Sequence, residues 1–414
     1  MAQPAPPVDG RILLLGLTPL ASARALARHG VSLVCAVKPE DADAARRSGL
    51  LDESVVVSNP ANAEQVVSAV MRTGADIRFS AVATASEGPM VTTSLVGRAL
   101  EVPSLSLPCA LALHDKFLQK QLVAQAGVPT ATAGIVHYSD ADMVAVDEYP
   151  VVIKPFTDAG PRGTAVIRTR NDLRTFVSAA KAEGAPGPWL VEEYVEGDAV
   201  HIDGVIREGE LMFISVGRYL DKPIDITHGD LYGSVLLDPQ HNEQIYSAAR
   251  VMVTRSLHAL GHRDGVFHLE AFLQANQLMF GECSGRVSGG QIPDVIQQKF
   301  GVDLHDEWAR CVLGTSSGMH DRASSDQSYG WMHLSAPAGT LSARSTGELE
   351  LLPGVVEVDL EVAAGELVSD DSQDAVPRVA SVQVAADTYD EVSERLIEVA
   401  SWLASRAWTA PHQG

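Results

Sequence analysis

The stretch VFHLEAFLQANQLMFGECS (residues 266–284) predicts a β-hairpin with a loop at Ala275-Asn276-Gln277. Successive side chains of a strand point to opposite faces of a sheet. Folding the two arms about Asn276 sets four pairs opposite each other: Gln274 and Leu278, Phe272 and Phe280, Glu270 and Glu282, His268 and Ser284. One face of this hairpin is then apolar: Leu269, Ala271, Leu273, Met279 and Cys283. The other face is polar: His268, Glu270, Glu282 and Ser284.

The polar face brings the carboxylates of Glu270 and Glu282 together. Directly opposed residues of an antiparallel pair have Cβ atoms about 4.5–5.5 Å apart, so two ionised carboxylates repel each other there. A magnesium ion would offset this repulsion, because it binds carboxylate oxygens and shares its coordination shell with phosphates. A proton shared by the pair, or two side chains splayed into water, explains the hairpin alone equally well.

Length and charge limit the classes of protein. The chain has 414 residues, which is enough for two or three domains with their own cores. Its net charge of −22 argues against a nucleic acid partner and leaves small anionic ligands open. No stretch approaches the roughly 20 apolar residues that span a bilayer, so we expect no membrane partner.

The expected location is the cytoplasm. The N-terminal sequence MAQPAPPVDG has neither the basic start nor the apolar run of a secretion signal. The four cysteines lie far apart and form no CxxC pair, which is typical of reduced thiols.

The N-terminal third predicts an open α/β sheet of Rossmann-like type. The apolar runs RILLLGL (11–17) and VSLVCAV (31–37) are typical of buried parallel strands and are separated by a helical pattern. The first turn offers only Gly16 where a dinucleotide fingerprint needs three glycines, so NAD binding is not expected. Glu87 follows a predicted strand at its carboxyl end and is a candidate substrate contact.

Two segments indicate an anion site. Residues 115–127 predict a helix capped by Asp115, with Lys116 in its first turn, where a cation is unfavourable unless an anion lies nearby; a solvated lysine is the alternative. Lys154 ends an apolar strand, and burying an unpaired ammonium is costly. The glycine-containing segment TDAGPRG (157–163) follows, and its backbone N–H groups could approach phosphates. An ordinary flexible hairpin remains the alternative for this segment.

Arg286 lies just after the acidic pair. Its guanidinium could form a salt bridge with those carboxylates or bind a substrate carboxylate through two hydrogen bonds. Gly289 and Gly290 lead into a helix whose N-terminus would present free N–H groups to an anion. The apolar-poor stretch 221–234 predicts a loop that could close over a site.

Five motifs in order carry a family resemblance: HDK (114–116), VVIKPF (151–156), VEEYVEG (191–197), HLEAF (268–272) and GECSGR (281–286). Together with the Rossmann-like start, they resemble the ATP-grasp superfamily, specifically its carboxylate–amine ligases such as the L-amino acid ligases and bacilysin synthetase. The resemblance covers nearly the whole chain. It implies an α/β and α+β ATP-grasp fold in four parts: a Rossmann-like domain (1–112), a lid subdomain with the phosphate loop (113–195), a catalytic core (196–315) and a C-terminal α+β subdomain (316–414).

The resemblance also implies site residues. The ATP contacts would be Lys116, Lys154, Gly160, Arg162, Gly163, Thr164, Glu192, Glu193, Tyr194, Val195 and Asp198. The adenine hinge would use the Glu193 carbonyl and the Val195 N–H. The ligands of Mg²⁺, or of Mn²⁺ in its place, would be Glu270, Glu282 and Ser284. The substrate contacts would be Arg286, Ser288, Gly289, Gly290, Arg218 and Glu87.

Three departures from the family pattern concern these contacts. Ala199 stands where many members carry the glutamate that binds the ribose, so Asp198 or Glu196 would have to replace it. Ser284 stands where many members carry an asparagine beside the metal. The phosphate loop carries Arg162 and lacks the usual serine.

The implied activity is ATP-dependent amide bond formation between a small carboxylate and an amine, through an acyl phosphate. Natural-product assembly fits this class, and a homodimer is compatible with it. His268 is a candidate base for the amine proton; the alternatives are support of Glu270 and a hydrogen-bonded interior histidine without a catalytic role. Two rival functions remain: another ATP-grasp reaction, such as carboxylation with bicarbonate or transfer to a carrier-protein thiol, and nucleotide binding without turnover.

Overall fold

The computed structural model describes residues 10–72, 78–137, 149–156, 163–182, 184, 187–224, 231–275, 277–319, 324–335, 341–342, 346–362, 378–406 and 408–409. Its first sheet is parallel, with the strand order β3-β2-β1-β4. The strands are β1 (Arg11–Leu15), β2 (Ser32–Val37), β3 (Glu53–Val56) and β4 (Ala81–Ala83). The accompanying helices are α1 (Leu20–Arg28), a 3₁₀ turn (Pro39–Asp41), α2 (Ala42–Arg47), α3 (Ala63–Arg72) and α4 (Met90–Ala99). The predicted open α/β sheet is confirmed, because the apolar runs are buried on both faces as parallel strands require.

Two helices connect this sheet to the rest of the chain: α5 (Leu107–His114) and α6 (Lys116–Gln125). The side chain of Asp115 accepts hydrogen bonds from the N–H groups of Phe117 and Leu118, both at 2.9 Å. The predicted helix cap is therefore confirmed.

A second, small sheet is antiparallel, with the order β5-β8-β6-β7. Its strands are β5 (Ala133–Val136), β6 (Val151–Pro155), β7 (Ala165–Ile167) and β8 (Trp189–Glu193). Helix α7 (Arg170–Ala182) packs its apolar stripe against the sheet. Of the predicted phosphate loop, Gly160 and Arg162 lie outside the described residues.

The third sheet is antiparallel and has eight strands in the order β13-β12-β9-β10-β11-β14-β17-β16. Its strands are β9 (Asp198–Arg207), β10 (Glu210–Tyr219), β11 (Tyr232–Leu236), β12 (Gly265–Gln274), β13 (Gln277–Ser284), β14 (Ser328–Ser335), β16 (Val355–Leu360) and β17 (Arg378–Ala386). The other elements of this part are α8 (Glu243–Leu260), α9 (Ile292–Phe300), α10 (Leu304–Leu313), a 3₁₀ turn (Thr346–Leu351), α11 (Tyr389–Arg406) and the short pair β15 (Leu341–Ser342) and β18 (Trp408–Thr409). Three strands after residue 316, β14, β16 and β17, therefore extend the sheet that contains the hairpin.

The hairpin of β12 and β13 confirms half of the predicted register. Glu270 lies opposite Glu282, and His268 lies opposite Ser284. The other two predicted pairs are wrong, because a β-bulge after Glu270 shifts the register by one residue. Nearer the turn, the observed pairs are Ala271–Phe280, Phe272–Met279, Leu273–Leu278 and Gln274–Gln277.

The bulge also changes the apolar face of the hairpin. Leu278 and Phe280 join Leu269, Ala271, Leu273 and Cys283 in the core. Met279, which was predicted on that face, lies opposite Phe272 and outside this core cluster. The turn is correspondingly shorter than predicted: β12 ends at Gln274 and β13 begins at Gln277.

Of all the helices in the described ranges, none is both long enough and apolar enough to cross a bilayer.

Candidate active site

Lys154 and Glu192 form the centre of a charge cluster between the small sheet and the hairpin. Lys154 Nζ lies 2.5 Å from Glu192 Oε1 and 3.7 Å from Glu282 Oε2. Burial alone would lower the pKa of Lys154, but Glu192 and Glu282 together raise it above its ordinary value. The lysine predicted from its place in an apolar strand is therefore a charged group held by two carboxylates.

Helix α6 adds two more ammonium groups to the cluster. Lys116 Nζ lies 3.2 Å from Glu282 Oε2, and Lys120 Nζ lies 2.9 Å from Glu192 Oε2. Both lysines are buried. Three ammonium groups thus lie beside two carboxylates, with Glu270 facing Glu282 across the hairpin. Ammonium groups at one place suit an anionic ligand such as a phosphate. Sequence reasoning missed Lys120, although its i,i+4 spacing from Lys116 places both on one face of the helix.

The two facing carboxylates differ in their partners. Glu282 contacts lysines; burial would raise its pKa, but Lys116 and Lys154 lower it to about 2. Glu270 Oε1 accepts a hydrogen bond from the Tyr219 hydroxyl at 3.2 Å. The two lysines therefore favour the ionised form of Glu282.

The same pair fits a divalent metal ion. The Oγ atom of Ser284, beside Glu282 on the polar face, is buried and has no hydrogen-bond partner among the described residues. Two carboxylates and an unsatisfied hydroxyl are hard oxygen donors, the kind that magnesium binds. No cluster of three or more His, Cys, Asp or Glu suited to a metal occurs in the described part of the chain. A metal held by this pair would therefore keep positions for phosphate oxygens and water.

A buried network supports Glu270 from behind. The carboxylate of Asp203 is fully buried and lies 2.8 Å from His268 Nδ1 and 2.6 Å from His201 Nδ1. His268 Nε2 lies 3.6 Å from Glu270 Oε1. Burial would lower the pKa of His268, but Asp203 raises it to about 10. Both ring nitrogens of His268 thus face carboxylates, so the geometry favours support of Glu270 over a role as base. Sequence reasoning missed Asp203 and Tyr219.

Arg286 pairs with Glu87, and the structure thus brings together two residues predicted to contact substrate. The Nε and Nη2 atoms of Arg286 donate to Glu87 Oε2 at 3.1 and 2.9 Å. Nearby, Ser288 Oγ is buried and has no hydrogen-bond partner within the described ranges. Gly290 has φ +63°, and a Cβ there would lie 2.2 Å from the Trp331 ring, whereas a Cβ at Gly289 would meet nothing within 4 Å. The backbone at Gly289 is therefore open to a ligand.

Arg218 and Asp198 lie away from this site. Neighbouring residues of β10 point to opposite faces, and Tyr219 takes the face of Glu270. Arg218 points the other way: its Nη1 lies 3.4 Å from Asp198 Oδ2, and its Cζ lies 5.9 Å from the Tyr389 ring centre. The structure does not bring these two predicted contacts, Arg218 for the substrate and Asp198 for the ribose, together with the rest of the site, because both side chains are on the far face of the sheet.

The predicted adenine hinge forms the connection from β8 to β9. Glu193 is the last residue of β8, and its side chain is exposed. The Val195 N–H makes no hydrogen bond with any residue in the described ranges. The hydroxyl of Tyr194 accepts a hydrogen bond from Lys222 Nζ at 2.9 Å, which brings the start of the predicted loop 221–234 beside the hinge. Residues 225–230 of that loop lie outside the described residues.

The predicted phosphate loop ends between β6 and β7. Gly163 has φ +68° and lies against Pro155, and Thr164 follows it directly before β7. The positive φ is a conformation that glycine adopts without strain. The described end of the loop is thus a tight turn beside Pro155, the residue that follows Lys154 in β6.

The chain is similar to several known proteins. Residues 121–290 match the model of the ATP-grasp domain. An L-arginine-specific L-amino acid ligase of Bacillus subtilis is 22% identical over 327 residues, which cover 77% of this chain and 78% of that protein. Dapdiamide A synthase of Enterobacter agglomerans is 22% identical over 309 residues, 70% of this chain and 71% of that protein.

Two solved structures share the fold. The L-amino acid ligase from Bacillus licheniformis superimposes with a TM-score of 0.77 at 15% identity, covering 99% of this chain and 100% of that one. The biotin carboxylase domain of the Hydrogenobacter thermophilus 2-oxoglutarate carboxylase, solved as a dimer with MgADP and bicarbonate, has a TM-score of 0.69 at 17% identity and covers 97% and 90%. The chain has the ATP-grasp fold, and the predicted resemblance to the ATP-grasp ligases is confirmed.

Proposed function

We propose that this protein is an ATP-dependent carboxylate–amine ligase that forms an amide bond and releases ADP and phosphate. The observation that carries the proposal is the convergence on Glu282: Lys116 and Lys154 lie 3.2 and 3.7 Å from its carboxylate, and Glu270 faces it across the hairpin. Cations for phosphates and carboxylates for a metal therefore meet at one place.

Each part of the nucleotide has candidate contacts. Lys116 and Lys154 would bind the phosphates, and the turn ending at Gly163 and Thr164 would cover them. The Glu193 carbonyl and the Val195 N–H would bind the adenine. Ala199 offers no acidic side chain to the ribose, and Asp198 faces away, so Glu196 is the remaining acidic candidate for this contact.

The metal would be held by Glu270 and Glu282, with Ser284 contributing directly or through water. When bound, Mg²⁺ neutralises charge on the transferred phosphoryl group. His268 and Tyr219 would fix the orientation of the Glu270 carboxylate through the contacts described above. The chain's own residues thus supply orientation and charge, which is most of what phosphoryl transfer requires of a protein.

The reaction has two steps. An oxygen of the substrate carboxylate attacks the γ-phosphorus of ATP, and ADP leaves. The nitrogen of the amine then attacks the carbonyl carbon of the acyl phosphate, phosphate leaves with the bonding electron pair, and the nitrogen gives up one proton. Arg286 would face the carboxylate and then the acyl phosphate, because a guanidinium matches the geometry of both anions.

The substrates we propose are amino acids or related small acids and amines. One relative is named as an L-arginine-specific L-amino acid ligase and another as a dapdiamide A synthase. Assembly of a peptide-like natural product is the corresponding biological role. A cytoplasmic location is consistent with the free thiols of Cys35, Cys109, Cys283 and Cys311.

Carboxylation is the second candidate reaction. The likeness to a biotin carboxylase domain extends over 97% of this chain, including the C-terminal strands of the eight-stranded sheet. Attack by a carrier-protein thiol on the same acyl phosphate is a further variant. A nucleotide-binding role without turnover is disfavoured because Lys116, Lys154, Glu270, Glu282 and Arg286 are all present and arranged together.

The first experiment is release of ADP from MgATP with a panel of single amino acids and amino acid pairs, followed by mass spectrometry of the products. The proposal expects ADP release that depends on a carboxylate and an amine together, with an amide in equal amount. Release that depends on bicarbonate, with a carboxylated product, would support the second candidate. Tight ATP binding without ADP release from any acceptor would contradict both.

Arg286→Ala is expected to raise KM for the carboxylate substrate about 10- to 100-fold, because it removes a charged, two-pronged hydrogen-bond donor. Steady-state kinetics with the amine and MgATP at saturation measure this change. Arg218→Ala is the matched control, since Arg218 lies on the far face of the same sheet and its loss should leave KM within about twofold. Equal effects of the two substitutions would remove Arg286 from the substrate site.

A further inference from the structure

Strand β13 lies at the edge of the eight-stranded sheet, and its outward backbone groups need partners from outside the sheet. Residues 119–130 supply them. The N–H of Phe280 donates to the carbonyl of Pro129 at 2.8 Å, and its carbonyl accepts from the Thr130 hydroxyl at 3.0 Å. Lys120 Nζ donates to the carbonyl of Gly281 at 3.0 Å. The edge that carries Glu282 is therefore covered by α6 and the segment after it.

The side chain of Gln119 binds the next outward residue, Cys283, on both sides. Its Nε2 donates to the Cys283 carbonyl at 2.7 Å, and its Oε1 accepts from the Cys283 N–H at 2.7 Å. A third bond, from Nε2 to the carbonyl of Ala112 at 3.1 Å, fixes the amide itself. Gln119 is 2% exposed. One glutamine amide thus takes the place of a neighbouring strand at this position.

These contacts lie on both sides of Glu282 along the strand. Lys120 holds the backbone of Gly281 before it, Gln119 holds the backbone of Cys283 after it, and Lys116 of the same helix contacts its carboxylate. Three residues of one helix therefore set the backbone and the side chain of a single acidic residue.

These contacts on both sides of Glu282 lie next to the β-bulge. Glu282 lies opposite Glu270 only because the register shifts between Glu270 and Ala271. A slip by one residue would turn the whole strand over, and Glu282 would point into the core while a neighbour took its place. Gln119 binds the strand at Cys283, just beyond the bulge. The register in which Glu282 lies opposite Glu270 begins on that side of the bulge.

We propose that Gln119 is a positioning residue for the metal-binding carboxylate of Glu282. Its two bonds to Cys283 hold Glu282 in the register that faces Glu270, and so set the geometry that the divalent ion requires. This inference rests on the proposed metal-binding role of Glu282. Outer residues that orient metal ligands commonly change metal affinity by about 10–100-fold when they are substituted.

The test substitutes Gln119→Met, which keeps the length of the side chain and removes both bonds. Binding of Mn²⁺ to the enzyme–ADP complex is followed by electron paramagnetic resonance, and ADP binding without metal is followed by calorimetry in chelator. The expected result is a rise of about tenfold or more in the Kd for Mn²⁺, with the Kd for metal-free ADP changed by less than about twofold. Hydrogen exchange at the Cys283 amide is expected to accelerate.

Gln383→Met is the matched control. Gln383 is 1% exposed, lies on β17 and bonds the side chain of Gln298. Its substitution removes a buried amide far along the same sheet and is expected to leave the Kd for Mn²⁺ unchanged. If Gln119→Met fails to fold, Gln119→Glu retains an acceptor for the Cys283 N–H and is expected to show a smaller rise in the same direction.

Two results would overturn the proposal: a wild-type Kd for Mn²⁺ in a folded Gln119 variant, or equal weakening of metal-free ADP binding. Neither measurement depends on turnover. If the wild-type protein binds Mn²⁺–ADP but joins no carboxylate to an amine, the ligase function is contradicted and the role of Gln119 is not. If the protein is a ligase and its Gln119 variants bind Mn²⁺ normally, the role of Gln119 is contradicted and the ligase function is not.

Discussion

Glu282→Gln is expected to lower kcat by about 10³-fold while the protein remains folded, because it removes one of two carboxylates proposed to hold the metal. The substitution is nearly isosteric, and Lys154 keeps its closer partner Glu192 at 2.5 Å. The loss should therefore fall on the metal-dependent step. Initial rates across a range of Mg²⁺ concentrations measure it, with thermal unfolding of the same sample as the check on folding.

Glu357→Gln provides the control for Glu282→Gln. Glu357 is exposed on β16, at the opposite edge of the same sheet, and its substitution should leave kcat within about twofold. Metal-free nucleotide is expected to bind Glu282→Gln at least as well as the wild type, since a carboxylate that competes with phosphates for Lys116 is gone. Wild-type turnover of Glu282→Gln at every Mg²⁺ concentration would show that Glu282 is not a metal ligand.

Local patterns in the sequence were sufficient for the elements of the fold. Continuous apolar runs predict the parallel strands of the first sheet, and Asp115 predicts the start of α6, because both are decided by neighbours in the chain. The bulge in the hairpin was missed. Alternation of apolar and polar residues cannot show whether Gly281 pairs with the opposite strand or is the unpaired residue of a bulge. The burial of Leu278 and Phe280 decides between the two, and that burial depends on helices far away in the sequence.

The residues of the candidate site were also predicted where neighbours in the chain decide their role, and missed where distant residues decide it. Lys154 was found because a lysine in an apolar strand needs a partner, and the partner turned out to be Glu192, predicted only for the hinge. His201 and Asp203 share a face in any strand, yet their function appears only when β9 pairs with β12 and sets Asp203 opposite His268. The sequence of one strand does not show which distant strand it pairs with.

The placement of Arg218 away from the other predicted site residues has a related cause. Consecutive residues of a strand occupy opposite faces, so either Arg218 or Tyr219 can face the site, and composition favours the arginine as a substrate contact. The structure chooses the tyrosine, because the apolar residues Ile214 and Val216 share a face with Arg218 and must point into the core. The parity of the apolar residues in β10 was the signal that could have corrected this prediction.

Glu192→Gln is expected to lower the free energy of unfolding by about 3–5 kcal/mol. Glu192 is 8% exposed and lies between two lysines, with Lys120 Nζ at 2.9 Å and Lys154 Nζ at 2.5 Å. A neutral amide would leave two buried ammonium groups without their shared countercharge, and breaking a buried ion pair from one side costs more than the pair itself contributes. Denaturant unfolding of both proteins measures the difference. Glu193→Gln, one residue further on and exposed, is expected to change it by less than about 0.5 kcal/mol.

The pH dependence of this difference follows from the pKa of Glu192. Burial would raise that pKa, but Lys154 and Lys120 lower it below the ordinary value of 4.5. A carboxyl whose pKa is lowered by folding stabilises the protein above its unfolded-state pKa and loses that contribution as the pH falls toward the folded-state pKa. The gap between wild type and Glu192→Gln should therefore be largest near neutral pH and shrink below about pH 4.5. A gap that stayed constant down to pH 3 would mean that Glu192 is not the charged centre on which Lys120 and Lys154 depend.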